Sequence, residues 1–334
     1  MTDQSAVSIP IRSADNGERS HSSLSMDEKM GEAIQTYRDK MYKSNVQFIH
    51  DRVEDIEAMN LPNEEAKLAL MGRFWFHMDK WYIPERVSLN AHLEGARKRM
   101  AQVEREKAVK RLEDVKNLHH PFMDGFWPPT LNSTQCQAFS EALEIVANEM
   151  AGIRRNEAEW IHVSEDLKSF LRFARRLEDP NFRFAPICGF EMYDDPGELL
   201  QGKPFEETRD FFIRSLRYKP EEHLLDWMGG YIELKATFYC GEAVRKGFTY
   251  YSFYAYCRPY TGRKKGGDKD HGNHEWAWRV LFFSDSDGVD DPGVVVFHTL
   301  LDFIEWYGSW FERMDVAEMQ IQMFEDPEDL FSQY

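Results

Sequence analysis

The chain has 334 residues, with 41 Lys and Arg against 58 Asp and Glu, giving a formal net charge of −17. Hydrophobic residues make up 42% and aromatics 14%, enough for a core without disulfide or metal staples. This excludes a wholly disordered chain, a collagen-like one and a coiled-coil rod. The negative balance repels phosphate backbones and anionic lipid, so nucleic acid and membrane surfaces are disfavoured partners. No stretch approaches the ~20 apolar residues of a membrane span. Residues 1–26 are polar and Ser-rich, with no apolar block of signal-peptide length, and read as a disordered tail. Four scattered cysteines (Cys136, Cys188, Cys240, Cys257) form no CxxC pair and read as free thiols of a cytoplasmic or nuclear protein.

From Asp27 to about Asn117 the pattern is helical. Met30, Ala33, Ile34, Tyr37 and Met41 recur at three- and four-residue spacing, a core-facing stripe. After the break at Leu61-Pro62-Asn63, a second stripe runs through Ala66, Leu70, Phe74, Trp75, Met78 and Trp81. Asn63 fits its N-cap, with Glu64 and Glu65 in the first turn. Residues 88–116 carry mixed charge and read as a long solvated helix with internal ion pairs. Prolines at Pro121, Pro128 and Pro129 place a boundary near 118–133. Ser133 or Thr134 can cap a further helix through Ile153, with Phe139, Leu143, Val146 and Met150 inward. Ser164 opens another that runs up to Asp179-Pro180, with Glu165 and Asp166 on its positive end.

From Gly229 the period changes to two. Residues 229–240 and 247–257 are rich in aromatic and β-branched side chains and predict a β-hairpin joined by Gly241–Gly247. Residues 275–283 predict a third strand, followed by a turn-rich acidic segment and an apolar helix over 297–314. Residues 285–334 hold thirteen acids and one arginine. The organisation expected is a disordered tail (1–26), a helical region (27–130), an α+β domain (131–314) and an acidic C-terminal segment (315–334).

Motifs for chemistry fall short of their requirements. The Gly262–Gly267 loop is followed by Asp268, where a phosphate-binding loop needs Lys and then a hydroxyl. The turn Asp285–Asp291 lacks the Gly and Glu spacing of a calcium loop. His271, His274 and Glu275 match no zinc-helix pattern, and no GxSxG is present. No catalytic residue, cofactor or metal ligand is therefore assigned. The feature left over is aromatic density: Phe248, Tyr250, Tyr254 and Tyr256 alternate with Tyr251 and Phe253, more than a one-sided sheet buries. Helices covering both faces would explain it. So would a protein-binding face, with Tyr250, Tyr254, Tyr256, Arg263, Lys264 and Lys265 as its candidate residues. Stacking of single-stranded RNA is a third explanation, weakened by the acidic total.

Three patches resemble one known family. The segment Ser164–Leu171 is similar to the "P-x-D-L-K-x-F-L" helix near the start of SUKH-superfamily domains. Residues 229–251 look like that family's strand–Gly–strand hairpin. Phe303, Trp306, Tyr307 and Trp310 are similar to its closing "F-x-x-W-Y-x-x-W" helix. The patches fall within 135–314. Ser164 replaces a common Pro, and Ala174-Arg175-Arg176-Leu177 stands where many members have Asn-Gly. The resemblance implies an α+β domain, a mixed sheet flanked by helices, that binds other proteins and carries no catalytic residue. In fungi it implies cell-wall or morphogenesis signalling, in bacteria toxin immunity. The polar head and helical extension favour the fungal type. The alternative outside this class is a metal-dependent enzyme assembled from dispersed residues, with His271, His274, Glu275 and Asp285–Asp291 as first suspects.

Overall fold

The computed structural model describes residues 24–75, 110–117, 123–155, 157–178, 189–193, 195–217, 232–245, 248–259, 262–263, 269–270, 275–286 and 294–309. They divide into two compact units, one drawn from 1–35, 127–178 and 186–306, the other from 36–126, 179–185 and 307–334. Helices and antiparallel sheets are both present, so the class is α+β.

Helix α1 (Met26–Ala58) begins at the polar–apolar transition, and its stripe Met30, Ile34, Tyr37 and Met41 is closed to solvent. Within the second unit, Ile49, Val53 and Ile56 of α1, Leu68 and Met71 of α2 (Glu64–Trp75), and Leu112, Val115 and Met123 are all buried. Asn63 caps α2, its side-chain oxygen accepting from Ala66 N–H at 2.9 Å. Glu64 accepts from Leu112 N–H at 2.9 Å, and Asn45 donates to Met123 C=O at 2.7 Å. The solvated helix expected over 88–116 falls outside the described residues up to 109; from Leu112 to Asn117 the chain is a 3-10 helix instead. Asp114 caps that turn, accepting from Lys110 and Arg111 N–H, and so fixes a short turn where a longer helix was predicted.

In the first unit, α3 (Ser133–Ala151) starts one residue before the expected cap. Asn132 accepts from Gln135 N–H, and the Gln135 side chain accepts from Asn132 N–H, a reciprocal capping box. It ends at Gly152 in the left-handed conformation (φ 70°). Helix α4 (Glu165–Phe173) is capped by Ser164, as expected. It stops earlier than expected, because Arg176–Leu177 leaves the helix to form β2, which pairs antiparallel with β3 (Phe190–Glu191) beside β1 (Phe126–Trp127). The arginine pair explains the departure: Arg175 and Arg176 lie over the Trp127 ring at 5.3 and 5.8 Å and pair with Glu178, Glu191 and Asp195. Helix α5 (Phe205–Leu216) packs on α3, with Phe139 edge-on to Phe212 at 5.0 Å.

The main sheet is a meander of β4 (Ile232–Arg245), β5 (Phe248–Pro259), β8 (Ala277–Ser286) and β9 (Val294–Phe297). A two-residue hairpin of β6 (Gly262–Arg263) and β7 (Lys269–Asp270) lies between β5 and β8. Every described pairing is antiparallel, where a mixed sheet was expected: the long strands pair in chain order, β4 with β5, β5 with β8 and β8 with β9, each reversing direction. Gly241 is not in the hairpin turn. It sits at a bulge inside β4 with φ 152°, where a Cβ would lie 2.7 Å from Gly189 C=O, so only glycine fits. Phe297 closes β9 instead of opening a helix, and α6 spans Leu300–Tyr307. One sheet face (Phe238, Tyr254, Val280, Phe282, Phe297) meets Phe190, Phe303 and Trp306. The other carries a closed cluster of Ile232, Phe253, Ala255, Cys257 and Leu281. Trp310 lies outside the described residues.

Candidate functional site

Of the six residues singled out in the sequence, the structure describes Tyr250, Tyr254, Tyr256 and Arg263. Lys264 and Lys265 lie outside the described residues, as do His271 and His274. Arg263 and Tyr250 are described through backbone pairing, Arg263 with Lys269 and Tyr250 with Ala243 and Ser284. Tyr254 is 1% exposed, which removes it from any contact face and corrects the expectation placed on it. It was grouped with Tyr256 because the two share a strand face, but Phe190 and Trp278 cover Tyr254. Tyr256 is half-buried.

Tyr254 belongs to a closed polar network. Its hydroxyl meets Ser164 Oγ, which also meets Asp166. Asp166 accepts from Leu167 N–H at 2.8 Å and from Leu300 N–H at 2.9 Å, so one carboxylate serves the first turns of α4 and α6 together. Burial, followed by the Asp166 charge, pushes the Tyr254 phenol well above its usual range. A hydroxyl–carboxylate–phenol array of this kind resembles acid–base machinery, but a buried, strongly protonated phenol is held there as a strut.

Toward the end of the sheet the aromatic ladder opens. Trp278 stacks on Tyr254 at 4.8 Å and 3°, Tyr256 tilts against Trp278 at 5.4 Å, and Trp276 stacks on Tyr256 at 5.9 Å. Trp276 and Tyr256 are both half-buried. Lys235 Nζ lies 4.6 Å and the Arg258 guanidinium 5.1 Å from the Trp276 ring, and Arg258 pairs with Glu233 at 2.5 Å. Buried Arg279 straps this corner, donating to Cys257 C=O at 2.5 Å and to Glu275 C=O at 3.1 Å and Ala277 C=O at 3.3 Å on either side of Trp276. The arrangement is a half-exposed aromatic rim bracketed by cations.

Beside the rim lies an open pocket of about 430 Å³ lined by Glu141, Glu144, Ile145, Arg155, Glu157, Trp160 and His162. Two α3 residues one turn apart build it. Asn148 clamps Ile161 through both backbone groups at 2.9 Å. Glu144 accepts from Val163 N–H at 3.0 Å and from the Trp160 indole N–H at 3.4 Å, with His162 Nδ1 also 3.4 Å away. The same segment reaches the rim, since Trp278 donates its indole N–H to His162 C=O at 2.6 Å and Glu159 lies 3.8 Å from Lys235. The sequence reading missed this pocket. Its signal is the pair Glu144 and Asn148, polar residues four apart on the otherwise apolar inner face of α3.

Among the described residues no three His, Cys, Asp or Glu side chains are grouped as metal ligands, and no helix is long and apolar enough to cross a membrane. Burial pushes the Cys257 thiol up to about 11, the opposite of what a nucleophilic cysteine requires. No family model, curated protein or solved structure matches the chain.

Proposed function

We propose that the chain is a non-enzymatic interaction protein of SUKH type, a cytoplasmic regulator, also able to act in the nucleus, that binds another polypeptide at the open end of its sheet. In a fungal cell its pathway would be cell-wall or morphogenesis signalling; in a bacterial one, toxin immunity. The carrying observation is the aromatic ladder, sealed at Tyr254 and Trp278 yet ending in the half-buried rings of Tyr256 and Trp276 beside Lys235 and Arg258. Tryptophan, tyrosine and arginine are the residue types that concentrate binding energy at protein interfaces. The net charge of −17 steers the encounter toward a partner with a basic surface.

The test uses tagged full-length protein and the double variant Trp276→Ala/Arg258→Glu in soluble extract of the source organism, with retained polypeptides identified and titrated. A specific polypeptide bound by the parent and weakened about thirtyfold, the effect of losing ~2 kcal/mol at an interface anchor, supports the reading. Equal affinity for both proteins, or no specific polypeptide retained by either, contradicts it.

A further inference from the structure

Trp160 stands apart from the other tryptophans whose side chains are described. Trp127 has Arg175 and Arg176 over its ring, Trp276 has Lys235 and Arg258, Trp278 stacks on Tyr254, and Trp306 packs on Phe297 and Phe303. Among the described residues, no Phe, Tyr or Trp ring stacks on Trp160 and no Lys or Arg lies over its face, although Arg155 and His162 share its pocket wall. It nevertheless lines a pocket with Glu141, Glu144 and Glu157. Its indole N–H is held by Glu144 at 3.4 Å, and its backbone N–H donates to Glu157 C=O at 3.1 Å, so ring and main chain are each tied once.

Charge identifies what is missing. Three glutamates against Arg155 leave a formal −2 around the pocket, histidine not counted. Arg209 offsets Glu141 at 3.2 Å, and Glu144 is engaged by Val163 and Trp160. Glu157 is exposed. An indole tied through its N–H with carboxylates around it is half of a cation cage: the ring face attracts a cation, and the carboxylates select against neutral groups. A volume of about 430 Å³ falls in the range of single-ligand pockets. Its open mouth admits the end of a side chain that arrives attached to a backbone.

We propose that this pocket takes one arginine or lysine side chain of the bound polypeptide, seated against Trp160 with its charge among Glu144, Glu157 and Glu141. The proposal rests on the protein-binding reading and deepens it: the rim supplies the apolar anchor, and the adjoining pocket selects a basic residue. Arg155 at the pocket wall is itself exposed and leaves the Trp160 face open to an incoming guanidinium or ammonium.

The test follows the indole N–H resonance of Trp160 in nitrogen-labelled full-length protein, assigned by its loss in Trp160→Phe. The probes are the blocked tripeptide Gly-Arg-Gly, its lysine and citrulline counterparts, and spermidine. The expected result is a saturable shift of that resonance with the arginine or lysine peptide and none with citrulline. Glu157→Lys should weaken binding about tenfold, equivalent to ~1.4 kcal/mol, while the other indole resonances stay in place. No saturable shift with either basic peptide, an equal shift with citrulline, or saturation by spermidine alone overturns the proposal. Titration of the captured partner separates the two readings. Loss of affinity in Trp276→Ala/Arg258→Glu but not in Glu157→Lys overturns the pocket assignment alone, and loss in neither overturns both.

Discussion

Two clusters in this molecule are made of the same materials and do different work. At the start of α4 a carboxylate, Asp166, is linked through Ser164 Oγ to an aromatic hydroxyl, Tyr254, and also accepts from Leu167 and Leu300 N–H inside a closed core. Beside α3 a carboxylate, Glu144, meets an indole, Trp160, but the surrounding space stays open, and Glu157 and His162 remain exposed. The difference is coverage. Phe190 and α6 seal the first cluster, whereas among the described residues the second is lined by 157–162 and Arg155 and stays open. A sealed polar cluster contributes to stability because any member lost leaves buried groups unsatisfied. An open one contributes little to stability and is available for recognition.

The contrast breaks first at Asp166. Asp166→Ala leaves the buried Leu300 N–H without its acceptor and removes the charged acceptor from Leu167 N–H and Ser164 Oγ, which keep each other and Tyr254, and a loss of about 3 kcal/mol is expected from the stranded donor and the charge-assisted bonds together. Urea unfolding measures it, and a loss below about 0.5 kcal/mol, the range of ordinary surface substitutions, would show that the network is peripheral.

Next in size is an alkaline effect. Burial raises Cys257 from 9.0 to about 11, so above pH 9 the unfolded chain releases a proton that the folded chain keeps. Stability is therefore fully present below pH 9 and falls as pH rises toward 11, by about 2–3 kcal/mol at ~1.4 kcal/mol per unit. Tyr254, raised in the same direction, extends the fall to higher pH. Melting curves across pH 8–11 should show a gentler slope in Cys257→Ala, and identical slopes would sink the assignment to this thiol.

The smallest effect sharpens the open side of the comparison. Trp276→Ala removes a half-buried ring with two cations on it and should cost about 1 kcal/mol in thermal stability, at the scale of exposed cation–π contacts. A cost as large as that of Asp166→Ala would place the rim in the core instead.

The sequence made the periodic parts legible. The α1 stripe, the Asn63 and Ser164 caps and the two long hairpin strands follow from spacing and cap chemistry alone. Helix α5 was not legible, because its buried face is reduced to Phe212 and Thr208. Strand β9 was not read and its last residue, Phe297, was placed at the head of the next helix, because no glycine marks the change; the helix start is marked only by Thr299, whose hydroxyl accepts from Asp302 N–H. Gly241 carried a turn signal that the fold uses for a close approach to Gly189. Of the candidate surface, alternation put Tyr254 and Tyr256 on one face, yet which of them is sealed depends on the reach of Phe190 and α6, a tertiary fact with no local signature. Trp276 and the flanking Lys235 and Arg258 were visible as residue types, but their convergence needed the register of β4, β5 and β8.

The most direct measurement is hydrogen exchange on the full-length chain alone and bound to its captured partner. The account predicts slowed exchange in two stretches, 157–163 and 275–279, with the helices of the second unit unchanged. Protection confined to 36–75, or no change at 157–163 and 275–279 on a saturated complex, would contradict it.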